Sequence, residues 1–108
     1  MITRRVNRRA QRFGVRLPVK ELNGRPARDI YVVDLSSLGA RLETDSPLAP
    51  RNAVEFTVVL PHREAATRFS GQIVWARPLL HLPGRFHLGI RFFAPNWELD
   101  RLAREGKT

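Results

Sequence analysis

Two short segments concentrate the side chains of this chain that can do chemistry. The first is Arg8-Arg9-Ala10-Gln11-Arg12. In extended backbone, residues four apart point the same way and lie about 13 Å apart, so the guanidinium groups of Arg8 and Arg12 can straddle one flat ligand instead of competing for one oxygen. A guanidinium fork grips phosphate, pairs with the O6 and N7 edge of guanine, or stacks on a base plane. Arg4 with Arg8 and Arg5 with Arg9 repeat the spacing, and a basic tail also serves as a solvated arm or a loose polyanion contact. The second segment is Asp34-Leu35-Ser36-Ser37-Leu38-Gly39, a DxSxxG pattern. Asp34 can accept the N1–H and N2–H donors of a guanine edge, and the Ser36 hydroxyl can bridge to base or phosphate. Gly39 allows positive φ or close backbone approach. The same residues also make an Asx or Ser turn that satisfies its own backbone with no ligand.

The charge balance points to an anionic partner. The 108 residues carry 19 Lys plus Arg against 10 Asp plus Glu, a net +9. Residues 1–20 hold Arg4, Arg5, Arg8, Arg9, Arg12, Arg16 and Lys20 with no acid, so +7 of the +9 lies there. All but Lys20 and Lys107 of the basic residues are Arg, which favours planar, bidentate contact over diffuse attraction. With no cysteine, a disulfide framework, iron–sulfur cluster, thiolate zinc site or cysteine nucleophile is excluded, in keeping with a reducing cytoplasm. His62, His81 and His87 lack metal-ligand spacing and the acids are scattered, so neither a metal site, a cofactor nor a catalytic constellation is expected. No apolar run approaches the roughly 20 residues of a membrane span, and the N-terminus lacks the apolar stretch of a signal peptide. The expectation is a soluble, cytoplasmic, non-catalytic domain without membrane insertion.

The elements that must position the two segments follow from alternation. Phe13, Val15, Leu17 and Val19 share one face of a strand, and Asn23-Gly24-Arg25-Pro26 reads as a turn. Ile30 to Val33 is a β-branched and aromatic run ending at Asp34, and Ala40 to Glu43 alternates again. Val54, Phe56, Val58 and Leu60 define another face, Phe69, Gly71, Ile73 and Trp75 the next, and Phe86, Leu88, Ile90 and Phe92 the last. Asn96 N-caps a helix over 96–106, with Leu99 and Leu102 toward the strands and early acids at Glu98 and Asp100. Five or six short strands at regular spacing point to a closed antiparallel barrel, which removes the open edges of a small sheet. The organisation is a mobile basic arm over 1–12, a barrel over 13–95 and the helix.

Together and in this order, the segments resemble the PilZ domain family, whose members bind cyclic di-GMP. The resemblance runs from Arg8 and Arg12, abutting Phe13-Gly14-Val15-Arg16-Leu17-Pro18-Val19, through Asp34, Ser36 and Gly39. It continues through Gly71-Gln72-Ile73-Val74-Trp75 and ends in Gly89-Ile90-Arg91-Phe92. The abutment on Phe13 selects Arg8 and Arg12 over the other two registers. The resemblance implies a six-stranded barrel with a C-terminal helix, and cyclic di-GMP held between the arm and the barrel surface that carries Asp34, Ser36 and Gly39. It implies a receptor that changes arm conformation on binding and signals to a protein partner in motility, biofilm or virulence control.

Further positions stand at the edge of that site. Arg9 can cover the ligand from above or face solvent, and Arg41 either adjoins the ligand or is an ordinary barrel-surface arginine. In some relatives the strand tryptophan lies near the ligand, here Trp75, although its phase with Phe69 and Ile73 argues for the core. Asn7, just before Arg8, stands where the family sets whether one or two ligands bind, and its identity does not fix which. Two other readings remain: a basic barrel that binds single-stranded nucleic acid through the arm, although the arm has no aromatic residue, and a ligand-independent protein-interaction module.

Overall fold

A computed structural model describes residues 13–45, 48–61 and 63–99. Arg8, Arg9 and Arg12 of the arm, and all but the first four residues of the helix expected over 96–106, lie outside these residues. Seven strands are described: β1 (Phe13–Leu22), β2 (Arg25–Pro26), β3 (Tyr31–Leu35), β4 (Gly39–Thr44), β5 (Ala53–Val59), β6 (Ala66–Pro78) and β7 (Phe86–Phe92). They run antiparallel in the order β2-β1-β3-β4-β7-β6-β5, and a pairing of β1 with β5 closes six of them into a barrel. The tiny β2 is an addition within the stretch read as a turn. Asn23 and Gly24 both take positive φ, 51° and 82°, forming the two-residue hairpin turn that turns the chain back on β1.

Alternation built the core as expected. Val54, Phe56, Val58 and Leu60 are buried, as are Leu88, Ile90 and Phe92, with Val15 and Leu17 packed against them. Phe69 stacks on Phe56 and Phe92, with ring centroids 5.4 and 5.0 Å apart. Leu99 is fully buried, so residues 96–99 end against the barrel, and the Asn96 Oδ1 accepts from the Glu98 amide at 3.2 Å as a cap does.

The strict alternation breaks at two places that matter for the site. Between Val32 and Asp34, β3 gains a residue against β4, and between Ile73 and Trp75, β6 gains one against β7. Each extra residue shifts which face the following side chains occupy.

Candidate functional site

The DxSxxG segment forms the β3–β4 turn. The Ser36 amide donates to the Gly39 carbonyl at 2.9 Å, and the Ser36 hydroxyl accepts from the Leu38 amide at 3.2 Å while donating to Gly39 O at 3.4 Å. Ser36 therefore shapes the turn with the group that could have bridged to a ligand. The turn also anchors the end of the barrel, since Ser37 O accepts from the Asn96 amide at 2.7 Å and Leu38 O from the Phe92 amide at 2.8 Å. Of the two roles open to Gly39, close approach is the one realised. Its φ is not positive, and a Cβ there would run into the Ile90 carbonyl.

The gained residue in β3 leaves Asp34 opposite Arg41, which in turn lies opposite Gly89 of β7. Arg41 Nη2 is 3.4 Å from Asp34 Oδ2, with the arginine side chain 41% exposed and the carboxylate 11%. Arg41 Nε is buried and has no hydrogen-bond partner among the described residues. On the other side Asp34 faces Gly14, so the start of β1, the residues that directly follow the Arg8–Arg12 segment, runs beside the acid.

Trp75 is where the sequence phase misleads. Ile73 faces Ile90 and is buried, but the bulge at Val74 brings Trp75 opposite Gly89 on the outer face. The indole covers Gly89, where a Cβ would collide with Nε1 and Cε2, and the tryptophan is half-buried on the surface instead of lying in the core. Asp34, Arg41, Gly89 and Trp75 thus make one row across β3, β4, β7 and β6.

A second row runs beside it, Tyr31, Glu43, His87 and Arg77. Glu43 is buried and is its electrostatic centre. Its Oε1 accepts from Arg16 Nη1 at 3.1 Å, and its Oε2 accepts from Arg85 Nη2 at 2.9 Å and Nε at 3.2 Å. The Arg16 hydrogen bond, helped by Arg85 and opposed by burial, holds the Glu43 carboxyl below its usual range. Arg16 also lies 4.1 Å over the Tyr31 ring. Burial, followed by the charge of Arg41, pushes the His87 imidazole toward its neutral form. Arg77 joins the rows, its guanidinium 4.8 Å from the centre of the Trp75 ring.

Sequence reasoning passed over Glu43, Arg77, Arg85 and Gly89. The only local signal was the Trp75–Arg77 spacing of two, which puts both side chains on one strand face once the strand is continuous. Among the described residues no group of three or more His, Cys, Asp or Glu side chains can hold a metal ion, and no helix is long and apolar enough to cross a membrane. A family model for the PilZ domain matches residues 6–104. No curated protein and no solved structure matches the chain.

Proposed function

The chain belongs to the PilZ domain family, and on that premise we propose that it is a cytoplasmic receptor for cyclic di-GMP that reports occupancy of its site to a protein partner. The observation that carries the reading is the outer row. An acceptor carboxylate at Asp34, a cation at Arg41 and the Trp75 indole with Arg77 over it follow one another at strand intervals. Three intervals of about 4.8 Å put the ends roughly 14 Å apart. Cyclic di-GMP offers a guanine donor edge, phosphate and a second guanine, which is the complementary order.

In this reading Asp34 accepts from the guanine N1–H and N2–H, and Arg41, whose Nε has no partner among the described residues, turns toward phosphate. Arg8 and Arg12 close from the arm as the opposing jaw, Arg9 covers the ligand, and Ser36 and Gly39 hold the floor by fixing the turn. Ordering the arm costs about 1–2 kcal/mol per residue fixed, offset by charge-assisted contacts, so the bound and free proteins differ in exposed surface. That difference is what a partner can detect. The domain acts as a receptor and needs no catalytic group.

Titration calorimetry tests this. Micromolar uptake of cyclic di-GMP is expected, falling at least tenfold in Arg12→Ala and in Asp34→Asn, with cyclic di-AMP excluded because it lacks the guanine donors. Absence of uptake, or variants that bind like the unaltered protein, sinks the reading.

A further inference from the structure

Gly89 lies in mid-strand between the buried Leu88 and Ile90, and its φ is not in the left-handed region, so the backbone conformation does not call for glycine. A glycine inside a strand gives up packing and chain entropy, and close approach by another group is the usual reason for one. That group is the Trp75 indole, whose Nε1, Cε2 and Cζ2 occupy the space of a Cβ. Above the ring lies the Arg77 guanidinium. Exposure rises in the same order: Gly89 is buried, Trp75 half-buried and Arg77 exposed. Three layers therefore stack from the sheet toward solvent.

Arg16 over Tyr31 repeats the device in the second row, but there two hydrogen bonds commit the guanidinium to Glu43. Among the described residues Arg77 has no carboxylate in salt-bridge range, and its engagement is with the ring. A guanidinium seated over an indole keeps its outward side and its charge available.

Resting on the receptor reading above, we propose that Arg77, seated over Trp75, which in turn rests on Gly89, is the residue that presents the stacking plane to a purine base of an anionic nucleotide. Trp75 is its backing, and Gly89 is a positioning residue that acts through Trp75. The stack gives a preference for purine over pyrimidine, because overlap with the planar cation grows with ring area, and the charge adds attraction for the adjoining phosphate.

The test combines cyclic di-GMP titrations with a readout that needs no ligand, the emission of Trp75 in a Trp97→Phe background. Arg77→Lys keeps the charge but loses the plane, and Arg77→Met keeps neither. Both are expected to lose about tenfold or more in affinity with an unchanged melting temperature. Gly89→Ala is expected to shift the Trp75 emission to the red and to weaken binding when Trp75 is present, and to add no further loss in a Trp75→Ala background. Arg77→Lys binding like the unaltered protein overturns the stacking role. Unchanged emission in Gly89→Ala overturns the positioning role, and the Arg77 variants decide the stacking question even if Gly89→Ala does not fold. If the unaltered protein takes up no cyclic di-GMP, the receptor reading fails and the stacking role fails with it. The emission result still decides whether Gly89 places Trp75.

Discussion

Glu43 is the point at which one substitution tests the electrostatics of this surface most directly. Its side chain is only 9% exposed and answers two guanidinium groups, Arg85 at 19% exposure and Arg16 at 57%. Replacing it by alanine removes the charge-assisted pair with Arg85 and leaves that guanidinium unmatched in a largely buried position. Such bonds contribute about 1.5–3 kcal/mol, and an unmatched, partly buried cation adds to the loss, for a total of roughly 2–4 kcal/mol. The exposed Arg16 is left out of that sum. In a domain of this size each kcal/mol moves the melting temperature by about 4–8 °C, so Glu43→Ala is expected to melt about 8–32 °C lower near neutral pH. Glu43→Gln, which keeps the shape and one acceptor, falls about half as far. The pH dependence supplies the sign. A carboxyl held below its unfolded value stabilises the fold above the ordinary range of about 4–4.5, and that contribution is lost as pH falls through the folded value. The gap between the unaltered protein and Glu43→Gln should thus be full at pH 6–7 and close as the solution is acidified below about 4. Calorimetric melting across that range is the assay. A gap that persists unchanged at pH 3, or a Glu43→Ala protein melting within 2 °C of the original, refutes the account.

Other expectations concern neighbouring groups. Gly39→Ala must push a Cβ against the Ile90 carbonyl, which overpacking experience places at about 1–3 kcal/mol, and denaturant melts should show a lower midpoint. His87 is disfavoured as a cation by burial and by Arg41. Its unfolded form takes up a proton first as pH drops below about 6.5, so stability declines there and levels off at the lowered folded value; His87→Gln should flatten that part of a melting-temperature profile. Asp34→Ala leaves Arg41 without its 3.4 Å partner and makes the outer row more positive. Its affinity for inorganic polyphosphate should rise while cyclic di-GMP uptake falls, and parallel loss of both would contradict a guanine-edge role for the acid.

The strands and most of their inward faces were legible because they are local properties. Alternation along Val54 to Leu60 or Leu88 to Phe92 needs no partner to declare which side is apolar, and those residues are buried as the period demands. The surplus of arginine before Phe13 and the DxSxxG turn are equally visible in one dimension, and the Ser-turn reading of Ser36 proved to describe its hydrogen bonds. What pairing decides was hidden. Trp75 continues a perfect period of two from Phe69, yet a single extra residue against β7 moves it from the core to the surface. Nothing in the residues flanking Val74 marks that slip, because it is set by how β6 and β7 must twist to close the barrel. The same holds for Glu43, whose two arginines stand 27 and 42 positions away and meet only when β1 and the β6–β7 loop converge on β4. Composition and spacing determined that this chain would fold as a barrel with its surplus arginine ahead of the first strand and the DxSxxG turn between two strands. Strand register, a long-range quantity, decided which side chains stand together on its outer face.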